Sequence, residues 1–234
     1  MRLSTFLIFT PPTFLSPSHS TALTLITLLN KEKWTLSDLL ARQVAPLSKT
    51  IYHYEEHVAK DQKALVISEK AFALLANNAD GYDIKDVFGM PMYKIKGKSM
   101  TATERKSVLD NKGEMLLEMY KDGNDYIAED FMGDKFMTIK VTSKLMGNKA
   151  TGTFTTEDEK EHSFSMTQGS KFSISTNIVL DDDGTAIAVI DRKIPDAQKM
   201  LKGEQTYTVT IAKGFDVLLI VALCMAMDDK KVDK

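Results

Sequence analysis

The feature that most constrains the fold is an uninterrupted apolar stretch near the C-terminus, residues 217–227, built only from aliphatic, methionine and cysteine side chains. A helix on a protein surface needs one apolar stripe, whereas a helix that is apolar on every side must be buried on every side. At the helical rise per residue the stretch is about 17 Å long, roughly half the thickness of a bilayer's hydrocarbon core. We therefore predict a central helix over residues 215–228 that is buried inside the protein and does not span a membrane.

Most of the chain before this helix has the pattern of β-strands. Between residues 61 and 211, short segments that alternate apolar and polar residues recur at intervals of about ten residues, separated by turns rich in Gly, Asp and Asn. Strands at this spacing are typical of an antiparallel sandwich or barrel. Only a closed barrel or a deep sandwich offers an interior to a helix that is apolar all round.

Composition narrows the class of protein. The chain has 234 residues, 43% of them hydrophobic, which is enough to bury a full core. Its formal net charge of −2 provides no bulk positive field that would favour nucleic acid. The single cysteine, Cys224, excludes an intramolecular disulfide and agrees with a reducing compartment. We expect a cytoplasmic protein, with peripheral association with a membrane as the second expectation.

The N-terminal residues 1–60 differ in character from the rest. The apolar run at residues 6–9 resembles a secretory signal, but Pro11, Pro12 and Pro17 interrupt it early. We therefore expect an extension that is weakly ordered or partly helical; a cleaved signal and a mis-assigned gene start remain alternatives. One function hypothesis for this part of the chain is that residues 34–45 form an amphipathic helix that recruits another protein.

Several segments, taken in order and spacing, resemble one known family over residues 61–232. They are residues 65–72, 84–98, 108–113, 186–193, 205–209 and 214–216, the last leading into the apolar stretch. This order resembles the LURP-one-related family, which is similar to the tubby C-terminal domain and the phospholipid scramblases. The resemblance implies a mainly β fold over residues 61–234, a closed antiparallel barrel of about twelve strands around a hydrophobic C-terminal helix. It implies no enzymatic activity and no cofactor; tubby-like relatives bind phosphoinositides, and scramblase-like relatives are linked to lipid movement and calcium.

Two motifs raise the question of metal binding. His53 and His57 stand four residues apart, a spacing that places two ligands on one face of a helix. No third ligand accompanies them, so we interpret them as surface histidines. The acidic run 181–184 would attract calcium, but contiguous carboxylates do not converge as the alternating ligands of an EF-hand do, and a solvated hairpin turn is the better interpretation.

Two further motifs raise the question of covalent chemistry and phosphate binding. Cys224 is flanked by Leu223 and Met225, where desolvation keeps a thiol inert, so we predict a packing role. Residues 97–99, Gly-Lys-Ser, match the end of a phosphate-binding loop. The first glycine of such a loop would fall at Met92, and no helix clearly follows, so we predict no such loop.

Basic residues are the main functional candidates. They are Lys135, Lys140, Lys144, Lys149, Arg192 and Lys193. Lys135 and Lys140 need a bulge or a loop to converge, because residues an odd number apart face opposite sides of a regular strand. Each cation near an anionic membrane contributes about 1 kcal/mol, so three or four would hold a phosphoinositide headgroup. The alternative is a scattered, solvated surface.

Three function hypotheses follow from these residues and the resemblance. The first is a non-enzymatic domain that binds a phosphoinositide or an acidic partner through the basic residues. The second is a scramblase-like protein whose C-terminal helix inserts into lipid, and the third is a protein-interaction scaffold with no lipid ligand. We expect an anionic phospholipid or a protein as the partner, without nucleic acid, metal or a transmembrane span.

Overall fold

In the computed structural model, residues 43–68, 82–97, 105–144, 147–167, 175–192 and 206–232 are described, all within a compact unit that spans Leu36–Lys234. In these residues, twelve strands form one closed antiparallel barrel, followed by helix α1. The elements are β1 (Lys63–Ser68), β2 (Tyr82–Asp86), β3 (Pro91–Gly97), β4 (Lys106–Leu109), β5 (Met115–Asp122), β6 (Asp125–Asp130), β7 (Lys135–Lys144), β8 (Gly147–Thr155), β9 (Glu161–Thr167), β10 (Ser175–Leu180), β11 (Ala186–Arg192), β12 (Thr206–Ile211) and α1 (Val217–Val232). The predicted fold class is confirmed.

The barrel is a meander in which each strand pairs with its neighbours in sequence. The ring closes where β1 pairs with β12, with Leu65 opposite Val209. Five hairpins, β2–β3, β4–β5, β6–β7, β8–β9 and β10–β11, turn at the end where α1 begins, because strand direction alternates around the ring. We call this end the strap end, after the segment that crosses it, and the opposite one the far end.

Three hairpin turns at the strap end share one construction. In each, an aspartate side chain accepts hydrogen bonds from the backbone N–H groups of the second and fourth residues after it. The third residue after the aspartate is a glycine with positive φ. The aspartates are Asp86, Asp110 and Asp130, and the glycines are Gly89, Gly113 and Gly133. Glycine adopts the left-handed conformation without strain, so each turn is fixed locally by its own sequence.

Helix α1 fills the barrel. Residues 217–227 are all between 0% and 4% exposed and pack against the inward-facing side chains of the strands. The helix lies within two residues of its predicted start and continues beyond its predicted end. Cys224 is buried in this core, which confirms its predicted packing role. Within the described residues, no helix has the length and hydropathy that crossing a membrane requires.

Residues 43–62, here called the strap, run across the strap end of the barrel. The N–H of Leu47 donates to the Lys213 carbonyl at 2.9 Å, and the N–H of Ile51 donates to the Gly214 carbonyl at 2.9 Å. The strap thus contacts the connection between β12 and α1. Residues 43–60 belong to the predicted extension; their hydrogen bonds to the barrel are largely made by backbone atoms and leave no apolar periodicity in the sequence.

Several predictions lie outside the described residues. They concern the first part of the predicted extension, most of the predicted recruitment helix 34–45, and Lys98 and Ser99 of the Gly-Lys-Ser motif.

Candidate functional site

The interior of the barrel leaves little room for a ligand. A void of about 10 Å³ lies between α1 and the strands, lined by apolar side chains that include Phe215, Leu219 and Phe164. One water molecule needs roughly 10–15 Å³ and polar partners. The void barely reaches this volume, and its lining is apolar. A functional site is therefore sought on the outer surface.

The predicted basic residues are spread along the barrel. Lys135 begins β7 at the strap end, whereas Lys144 ends the same strand at the far end, about 30 Å away at the rise of a strand. Lys149 lies opposite Thr142, and Arg192 ends β11, both towards the far end. Lys193 lies outside the described residues. Lys144, Lys149 and Arg192 thus share one end of the barrel, and Lys135 belongs to the other.

A bulge separates Lys135 from Lys140. The pairing of β6 with β7 shifts between Ala128 and Glu129, so that β7 carries one extra residue. Both lysines are exposed as a result. Lys140 Nζ lies 3.7 Å from Asp125 Oδ1, so its charge is partly offset by that carboxylate.

Arg105, directly before β4, is neutralised on the outer face of the barrel. Its Nη1 donates to Glu118 Oε2 at 3.0 Å and to Glu129 Oε2 at 3.1 Å, and its guanidinium carbon lies 4.2 Å from the centre of the Tyr120 ring. The Tyr120 hydroxyl donates to Glu129 Oε1 at 2.6 Å, and this bond raises the pKa of Tyr120. Lys135 also contacts Tyr120. This cluster links three strands, and its charges already have partners.

Asp216 connects the strap to the start of α1. Its Oδ1 accepts the Leu218 N–H at 2.8 Å and thereby caps the helix. Its Oδ2 accepts the N–H groups of His53, at 3.1 Å, and Tyr54, at 2.8 Å, both in the strap. The residue is 0% exposed, and burial raises the pKa of Asp216 to about 6, even though these donors favour the charged form. A single carboxylate therefore holds three backbone N–H groups from two segments.

The two histidines of the strap have separate roles. His53 stacks on Phe136 with ring centroids 4.2 Å apart, and its Nδ1 donates to the Thr155 carbonyl at 2.9 Å. His57 Nδ1 lies 3.2 Å from the Tyr93 hydroxyl, and burial lowers the pKa of His57. Both rings are half-buried, not the surface side chains predicted, because the strap packs them against the barrel.

In the part of the chain that is described, no group of three or more His, Cys, Asp or Glu side chains is placed to hold a metal ion. In the acidic turn, Asp183 Oδ1 accepts the Thr185 N–H at 2.8 Å, and Asp182 Oδ2 lies 3.1 Å from His162 Nδ1. The predicted hairpin turn between β10 and β11 is confirmed.

A groove of about 600 Å³ lies at the strap end. It lies between strap residues 47–52 and the β8–β9 and β10–β11 hairpins, and we call it the acidic groove. Its charged lining residues are Glu157, Asp158, Asp182, Asp183, Lys49 and Lys160. The groove was not predicted, because its walls come from three segments that are distant in sequence and share no motif.

A family model of LURP-one-related proteins matches residues 63–228. The chain belongs to the LURP-one-related family. The match covers all twelve strands and most of α1, so the predicted family is confirmed. No curated protein matches the chain.

A crystal structure of an Arabidopsis thaliana protein supports the LURP-one-related fold. The two chains superpose with a TM-score of 0.54 at 16% sequence identity, covering 78% of this chain and 99% of the other. At this identity the likeness establishes the fold alone. The LURP-one-related match begins at the first residue of β1, so the strap, and with it one wall of the acidic groove, lies outside the match.

Proposed function

We propose that this LURP-one-related domain is a non-catalytic module that binds a phosphoinositide-bearing membrane surface through basic residues at the far end of the barrel. The observation that carries the proposal is that α1 occupies the interior, so a ligand must bind outside. Lys144, Lys149 and Arg192 lie towards the same end. Each cation near an anionic surface contributes about 1 kcal/mol, so a few of them give a weak, reversible attachment.

The spacing of these residues suits a membrane surface better than a closed pocket. Lys149 is on β8 and Arg192 is on β11, with β9 and β10 between them. Three strand spacings amount to about 14 Å along the sheet. One headgroup would not bridge the distance between these two strands, whereas a surface with several headgroups would. Lys140 contributes less, since Asp125 offsets its charge.

The scramblase-like alternative depends on α1 leaving the barrel. All of residues 217–227 are buried against the strands, so inserting them into lipid would expose the whole inner face of the barrel to water. This burial favours binding at the outer surface over insertion of the helix.

Liposome flotation tests the proposal. We expect the protein to float with phosphatidylcholine vesicles only when they contain a phosphatidylinositol bisphosphate, and Lys149→Glu combined with Arg192→Glu to abolish flotation. The matched control is Lys85→Glu combined with Lys112→Glu, the same charge change at exposed positions of the strap end. Flotation without the anionic lipid, or equal loss in both double variants, would contradict the proposal.

A further inference from the structure

We propose that the acidic groove binds an extended segment of a partner protein that carries lysine or arginine side chains next to an apolar one. This site lies at the strap end, opposite the proposed lipid-binding residues, and does not depend on the proposed function. The argument rests on the lining of the groove, its charge and its rigidity.

The lining of the groove is apolar at its base. Leu47 and Ile51 of the strap are half-buried, and Leu180 at the end of β10 is 3% exposed. A volume of about 600 Å³ lies within the range of roughly 300–1,000 Å³ that is typical of ligand sites. Apolar surface at the base of a groove of this size accommodates an aliphatic side chain and leaves polar groups to the rim.

The rim of the groove carries more carboxylates than cations. Asp158 accepts the Thr156 hydroxyl, which lowers the pKa of Asp158, and Lys49 and Lys160 act on it in the same direction. The neighbouring carboxylate, Glu157, raises the pKa of Tyr52 through its charge. With four carboxylates and two lysines in its lining, the groove retains an excess of negative charge.

The β10–β11 hairpin adds to this negative charge. Asp182 and Asp183 both line the groove and are exposed. His162, which also lines the groove, is 8% exposed, stacks on Phe154, and has its Nδ1 3.1 Å from Asp182 Oδ2. An incoming cation thus meets Glu157, Asp182 and Asp183. Complementary charge of this kind speeds association and rejects acidic partners.

The groove is preformed. Besides the backbone bonds from the strap to the β12–α1 connection, the Glu157 N–H donates to the Tyr52 carbonyl at 3.2 Å, which ties the strap to the β8–β9 hairpin. The Asp181 N–H donates to the Ser163 carbonyl at 2.9 Å and ties the β10–β11 hairpin to β9. Because the walls are held before binding, a partner segment pays less ordering entropy in the protein.

The test uses a random phage-displayed peptide library as the probe. We expect selection on the full chain to enrich peptides with Lys or Arg beside Leu, Ile or Val. Synthetic copies of these peptides should bind at least about tenfold more weakly to a Glu157→Lys, Asp182→Lys variant, and their binding should weaken with added salt. The matched control is Glu114→Lys, Asp134→Lys, the same charge change at exposed strap-end positions outside the groove, which should keep wild-type affinity.

Three results would overturn the proposal. One is that no peptide is enriched, and a second is that enriched peptides are acidic or bind both double variants equally well. The third is that the full chain self-associates in analytical ultracentrifugation and that only the groove variant abolishes this, in which case a second copy of the chain is the occupant. Circular dichroism of all variants separates loss of binding from loss of fold.

Discussion

At the scale of single residues, Asp216 joins the strap to the start of α1 through one small side chain. It caps α1 and accepts two N–H groups from the strap, all from a position with no solvent exposure. A buried carboxylate is costly when charged, and burial is the main cause of the raised pKa. The charged carboxylate therefore lowers stability at neutral pH, but its hydrogen bonds fix the junction between the strap and α1.

The stability of the protein should depend on pH through Asp216. Because its pKa in the folded state, about 6, is higher than that of an exposed aspartate, about 3.9, the folded state binds the proton more tightly. This contribution is complete below about pH 4 and is lost as pH rises through about 6. Relative to Asp216→Asn, which does not titrate, the wild type should gain about 2 kcal/mol of unfolding free energy between pH 7 and pH 4.

Urea unfolding of both proteins at each pH measures this difference. Protonation of His57, whose lowered pKa has the opposite effect on stability, is common to both proteins and cancels. If the wild type instead loses stability relative to Asp216→Asn on acidification, the hydrogen bonds to the carboxylate outweigh its burial.

At the scale of elements, α1 occupies the centre of the hydrophobic core. Leu219 is 1% exposed, so in Leu219→Lys an ammonium group would be buried without a partner. The cost of an unpaired buried charge is comparable to the whole stability of a domain, and we expect this variant not to fold. Thermal unfolding followed by circular dichroism checks this.

Met132→Lys is the control for this substitution, because Met132 is 72% exposed in a hairpin turn and should tolerate lysine. A folded Leu219→Lys protein that has merely lost attachment to vesicles would support the scramblase-like hypothesis, since the helix would then act outside the barrel.

The elements differ in how well the sequence predicted them. The strands and α1 were predictable because period-two alternation and an all-apolar stretch are direct consequences of burial. The strap was not, since its bonds to the barrel are mainly made by backbone atoms and by one distant carboxylate, Asp216. The partners of Arg105 could not be predicted, because Glu118 and Glu129, which neutralise it, stand on β5 and β6. Side chains that are brought together by the pairing of strands leave no local pattern in the sequence.

At the scale of the whole molecule, the strap is an integral part of the folded domain. It covers the buried residues Phe215 and Asp216, and Val44 and Ala59 within it are themselves buried. A chain of residues 61–234 should therefore be less stable than a chain of residues 43–234 by several kcal/mol, because it exposes apolar surface and removes two donors from Asp216. Equal urea midpoints and slopes for the two chains would show that the strap adds nothing to stability.

The order of the elements, with α1 after all twelve strands, has a consequence for synthesis. A domain is made from its N-terminus onwards and folds as a unit. The strands of this barrel emerge from the ribosome before the helix around which they close, and β1 waits for β12 to complete the ring. The nascent sheet therefore carries an uncovered apolar face until residue 227 has emerged. Folding is completed only after α1 has emerged, and protection by chaperones matters most before that point.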